Sequence, residues 1–207
     1  MPKLKLPLTL LAAAAVLGGA ARTAADFFIT APSSVMPFTS SNLRMDMLDY
    51  YRYGSDRTMP DRSATPLRIT AESERTMTVA VGEEGARVQL AVLPAGKDTL
   101  VAVGTTVTLP APDSRVDIYN KDWTPARVKT PAWPAYSDWV TAADYETEAR
   151  LPFVPAEAAF DTTAKVLPFT CRADSFLAPD EYEMLRGSLV PAIVYDVKGK
   201  TFKRRKP

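Results

Sequence analysis

The chain switches hydrophobic period twice. Leu43, Met47, Leu48 and Tyr51 recur at helical spacing, with Arg44, Asp46 and Arg52 off that face. Thr39, Ser40 or Ser41 can cap such a helix, because their hydroxyls accept an orphan backbone N–H. Gly54 can close it in a left-handed conformation. Residues 26–38 before it form an apolar, Pro-containing lead-in, and residues 54–65 are polar and read as loop.

Over residues 66–120 the period becomes 2. Met77, Val79 and Val81 alternate with Thr76, Thr78 and Ala80, and Val88, Leu90 and Val92 with Arg87, Gln89 and Ala91. Val101, Val103, Thr105, Val107 and Leu109 line one face of a longer strand, and Val116 and Ile118 mark another. Leu67–Ile69 can add a strand in front. Clusters of Gly, Pro and Asp at 82–85, 94–98 and 110–113 separate these runs. Strands joined by such short loops pair antiparallel, since parallel neighbours need long crossovers. The expectation is a meander with one face buried and one polar.

Residues 121–156 hold all three Trp and many Pro, which cannot donate to a strand ladder, so an irregular crossing segment is predicted. Beyond it, 158–161 and 165–170 suit a strand pair. Pro179, Asp180 and Glu181 open a short helix with Tyr182 and Leu185 inward and Gly187 as its stop. Residues 192–197 and 200–203 form a hairpin about Lys198-Gly199. The fold class predicted is α+β: a mainly antiparallel sheet with two short helices.

The N-terminus has the layout of an export signal. Lys3 and Lys5 precede an apolar run from Leu6 to Ala21, and Thr23 and Ala25 stand at −3 and −1 of a cleavage site before Asp26. The run is shorter than the roughly 20 apolar residues that span a bilayer. This assigns residues 1–25 to a signal peptide and 26–207 to a single β-rich domain in the periplasm or outside the cell. Two lobes, 26–122 and 150–207, joined by the Pro/Trp-rich segment, are the alternative organisation. Without residues 1–25, 22 basic residues face 24 acidic ones, which is not the footprint of a nucleic-acid binder.

Composition narrows the chemistry. The 207 residues include no His and one Cys. His-dependent nucleophile systems, Cys/His zinc centres, His-ligated haem and an internal disulfide are therefore out of reach, and no cofactor is expected. Asp113, Asp117, Asn120 and Asp122 lack the spacing of a calcium loop, so no metal site is expected. Paired carboxylates are the one catalytic scheme that remains easy, with Asp138, Asp144, Glu146 and Glu148 near the aromatic cluster. Cys171 follows an apolar run and reads as a buried, inert thiol.

Two binding elements stand out. Trp123, Trp133, Tyr136 and Trp139, stiffened by Pro125, Pro131 and Pro134, either cover a core or display rings to a ligand. The C-terminus is basic. Lys203, Arg204, Arg205 and Lys206 either protect an edge strand from aggregation or meet anionic headgroups, with no transmembrane span needed.

The stretches 27–32 (Phe-Phe-Ile-Thr-Ala-Pro), 43–51, 105–119 leading to Asp122-Trp123, and 195–202 together resemble a domain-of-unknown-function family of exported Bacteroidales proteins. The resemblance implies export and a β-rich fold and carries over no catalytic residue. The function expected is a non-enzymatic envelope module that binds a peptide, glycan or partner protein. A carboxylate-based glycan hydrolase is the alternative.

Overall fold

A computed structural model describes residues 21–54, 59–60, 65–83, 85–129, 133–141, 145–163 and 165–206. It is a strand-dominated α+β fold with two antiparallel sheets. Helix α1 (Ala24–Thr30) and helix α2 (Ser41–Arg52) lead into a meander. Its strands are β1 (Met59–Pro60), β2 (Pro66–Glu72), β3 (Thr76–Val81), β4 (Ala86–Ala95), β5 (Asp98–Val107) and β6 (Asp113–Asn120), paired in chain order. Short helices α3 (Tyr136–Trp139) and α4 (Tyr145–Arg150) follow. The second sheet comprises β7 (Ala156–Ala158), β8 (Val166–Cys171), β9 (Ala192–Lys198) and β10 (Thr201–Arg204), also in chain order, with α5 (Ala173–Phe176) and α6 (Pro179–Leu185) between β8 and β9.

The meander appears where the period-2 pattern predicts it. β3 and β4 pair with Val79 opposite Val88, and β4 and β5 with Leu90 opposite Val103. Leu67, Ile69, Met77, Val79, Val88, Leu90, Val92, Val101 and Val103 face α1 and α2 and form a first core with Phe27, Phe28, Met47 and Leu48. The last part of the β5 pattern runs past this core, leaving Val107 and Leu109 exposed.

The expectation of a polar second face fails on β4 and β5. Across that face Arg87 sits opposite Thr106, Gln89 opposite Gly104, Ala91 opposite Ala102 and Leu93 opposite Leu100. The row grades from polar to apolar, and its small middle residues let the second sheet approach. Ala91, Leu93, Leu100, Ala102, Val116 and Ile118 form a second core with Leu167, Phe169, Ile193, Tyr195, Val197 and Phe202. Ala91 looked like the polar-side partner of an alternating strand, yet it lies between two sheets because Ala suits either environment.

The two sheets meet through a polar seam as well. Asp113 accepts from the Ala156 N–H at 3.1 Å and Ser114 from Ala158 N–H at 2.9 Å. Gln89 both accepts from Phe160 N–H at 2.7 Å and donates to its carbonyl at 3.4 Å. These side chains satisfy amides on the edge of β7 that would otherwise be bare in a buried place.

Two expectations about the N-terminal half are corrected. Residues 26–38 are not all irregular lead-in: Thr23 caps α1, and Phe27 and Phe28 drive it onto the sheet. Arg44, placed off the buried face of α2 by its charge, is only 3% exposed. Its guanidinium donates to the carbonyls of Ile29 (3.0 Å), Ala31 (2.6 Å) and Thr39 (3.1 Å), so it clamps the C-terminal end of α1 to α2. Burial alone lowers its pKa, and its partners are carbonyl dipoles, which are rich in negative charge at a helix C-terminus.

Further along, Tyr51, read as part of the apolar face of α2, is exposed. The short helices α3 and α4 lie within the segment read as irregular, and α6 continues through Gly187 as a 3-10 turn. The short helices therefore outnumber the two expected, because helices of four to seven residues leave no sustained period in the sequence.

Candidate functional site

The aromatic segment is positioned by the second sheet. Trp139, at the end of α3, is 2% exposed and belongs to the second core. Trp133 is half-buried and stands against Phe169, Tyr195 and Phe202, with ring centroids 5.5–5.8 Å apart. Tyr136 is half-buried on the same core. Trp123 lies elsewhere, on the turn after β6, where its ring packs on Phe27 at 6.0 Å and Tyr119 at 5.7 Å. Its backbone is left-handed, φ 68°, which is rare for a bulky residue and imposed by the Asn120–Thr124 turn. The four aromatics therefore divide between two cores and do not share one surface.

The carboxylates named as catalytic candidates also separate. Asp138 accepts from the Ala135 N–H at 2.8 Å and pairs with Arg204. The Ala135 amide first, and then Arg204, hold its carboxyl below the usual range. A general acid needs the opposite shift. Glu148 is exposed on α4. Asp144 lies outside the described residues, as does the side chain of Glu146.

The calcium-like set does not converge either. Asp113 serves the seam, Asp117 pairs with Arg115, and Asp122 accepts from Thr124 N–H at 3.1 Å. Asn120 donates to the Thr124 hydroxyl at 3.0 Å. Among the described residues no group of three His, Cys, Asp or Glu could hold a metal ion. Cys171 is half-buried, and burial pushes its thiol pKa up.

A concave feature with apolar and charged lining lies beside the basic C-terminus. A cleft of about 300 Å³ opens where the end of β4 meets the second sheet. Leu93, Pro94 and Val197 supply apolar surface, and Thr162, Lys165, Asp196 and Lys198 the polar part. Lys165 is held in a left-handed conformation, φ 54°, before β8, with its carbonyl accepting from Val197 N–H at 2.9 Å. Gly199, φ 58°, turns the β9–β10 hairpin beside it.

The charge around this cleft is lopsided. Asp196 is held below the ordinary range first by its hydrogen bond to Arg205 and then by Lys198 and Lys203. Lys198, Lys203 and Arg205 thus gather about one carboxylate, Lys165 lines the same cleft, and all four are exposed. The basic C-terminus is accordingly divided. Arg204 is spent on Asp138 and Arg205 on Asp196, while Lys203 and Lys206 remain exposed. Lys165 could not be linked to this cluster from the sequence, because only the pairing of β8 with β9 brings it there.

Comparison with known proteins agrees with this architecture. A domain of an uncharacterized protein from Porphyromonas gingivalis W83 superposes with a TM-score of 0.71 at 20% identity. The match covers 88% of this chain and 98% of that one, and shows a shared fold. No curated protein matches. Residues 16–202 match the model of the family described as protein of unknown function (DUF3256), and the chain belongs to that family.

Proposed function

We propose that this domain is an exported envelope module that works by binding, and that its partner is an anionic membrane surface. The observation that carries this reading is that exposed Lys165 and Lys198 line one cleft, with Lys203 beside its acid Asp196, whose charge Arg205 already offsets. Exposed cations near an anionic leaflet contribute about 1 kcal/mol each. Pro94 is exposed beside the buried Leu93 and Val197, so the apolar part of the cleft is small and the proposed contact is carried by charge. Lys206 extends the same charge towards the C-terminus. Among the described residues no helix is long and apolar enough to cross a membrane, so the contact proposed is peripheral.

The expected role of the aromatic segment in binding a peptide or glycan loses support, since Trp139 is core and Trp133 and Tyr136 cover it. The hydrolase alternative loses Asp138, whose carboxyl is committed to α3 and Arg204.

Vesicle co-sedimentation tests the proposal. The protein should partition onto phosphatidylglycerol vesicles at low salt, stay off phosphatidylcholine vesicles, and be released near about 0.5 M salt, where the Debye length falls to a few Å. Equal partition to both lipids, or none to either, would overturn it. Capture by an acidic polysaccharide without capture by vesicles would reassign the site to a glycan and also overturn the lipid reading.

A further inference from the structure

Resting on the export reading above, we infer that the signal is cleaved just after the apolar run, at Ala21, so that the mature chain begins at Arg22 and not at Asp26. Small residues allow either cut. Thr23 and Ala25 precede Asp26, and Gly19 and Ala21 precede Arg22 in the same −3 and −1 relation. The two differ in what they do to the folded domain.

A cut before Asp26 would dismantle the start of α1. Thr23 is its N-cap. Thr23 Oγ1 accepts from Asp26 N–H at 3.2 Å, and the Asp26 carboxylate accepts from Thr23 N–H at 2.8 Å, a reciprocal capping box. That cut would sever the box between its two halves. It would also delete Ala24 and Ala25, which are 0% and 4% exposed in the first core. The Ala24 N–H donates to the Glu74 carbonyl at 2.8 Å, tying the helix to the β2–β3 turn.

Arg22 is engaged as well. Its guanidinium donates to the Lys121 carbonyl at 3.0 Å and lies 4.0 Å from the centre of the Phe27 ring. Phe27 in turn packs on Trp123. Residues 22–25 thus have the contacts of a domain's first residues, whereas Leu8–Leu17 already supplies a ten-residue apolar core for the signal. Gly18-Gly19-Ala20-Ala21 follows directly as the small-residue region, and the cut needs no charged residue inside it.

The test is the N-terminal residue of the processed protein, read by mass spectrometry of the intact chain from an envelope fraction. A chain that starts at Arg22 supports the inference, and a start between residues 18 and 21 overturns the Ala21 site. A start at Thr23 or later overturns it while leaving export intact. An unprocessed chain that keeps residues 1–17 overturns the export reading itself, and this inference with it. Thermal melting of chains that start at Arg22 and at Asp26 gives a second readout. The longer chain should melt several degrees higher, and equal melting would show that residues 22–25 contribute nothing to the fold.

Discussion

Arg44 shows how far a single residue can depart from its polarity. Charge placed it outside, yet geometry places it inside, where its donors meet the carbonyls of Ile29, Ala31 and Thr39. Arg44→Met should cost about 2–3 kcal/mol in denaturant unfolding, the range for hydrogen bonds made by a charged group and for acceptors left bare. Arg44→Lys should not restore the loss, because an ammonium cannot reach three carbonyls as a planar fork does. Trp139 is the opposite case, an aromatic offered as a binding residue that the fold uses as core. Trp139→Ala should cost about 3–5 kcal/mol. Fluorescence divides the three Trp differently. Acrylamide should quench part of the emission, through half-buried Trp123 and Trp133, and Trp139→Phe should raise the quenchable fraction. Emission wholly protected in the unsubstituted chain would contradict their placement.

At the scale of elements, period-2 runs between Gly, Pro and Asp clusters made β2–β6 and the β9–β10 hairpin legible. Alternation plus turn chemistry is a local signal, and each hairpin is a local structure. The second buried face of β4–β5 was not legible. Gln89, Gly104 and Ala102 carry no strong hydrophobic mark, and what covers them comes from more than fifty residues further along the chain. Thr23 and Ala25 fit the spacing of a cleavage site in the sequence, which hides that Thr23 is the N-cap of α1. The strand pair around β7 depends on Glu157, which joins Arg87 at 2.6 Å and Arg172 at 2.5 Å. Burial pulls its pKa up, and the hydrogen bonds from Arg87 and Arg172 outweigh that and hold it below the usual carboxylate range. A carboxyl depressed in the folded state adds stability above its unfolded value, and that stability is lost as pH falls through the folded one. The melting temperature should therefore drop as pH is lowered from about 5 to about 3. Glu157→Gln should melt lower at neutral pH and show a shallower acid decline. Parallel acid profiles for the two proteins would remove Glu157 as the link between the sheets.

At the scale of the molecule, a central meander is covered by α1 and α2 on one face and by the second sheet on much of the other. The family resemblance was legible in dispersed stretches, from Phe27-Phe28 to the final hairpin, because those residues build the helix seat and the last strands. The candidate site was legible only in part. The basic C-terminus is visible in the sequence, but the cleft and Lys165 exist only once β8 pairs with β9. The claim that function resides there is tested most directly by the dissociation constant for phosphatidylglycerol vesicles. It should be measured for the unsubstituted chain, for Lys165→Glu/Lys198→Glu, and for Lys121→Glu on the turn beside α1. With circular dichroism and melting unchanged, the double variant should bind at least about tenfold more weakly, and Lys121→Glu should bind as the unsubstituted chain does. Equal binding by all three proteins, or equal loss in both variants, would contradict the assignment of the anionic contact to this cleft.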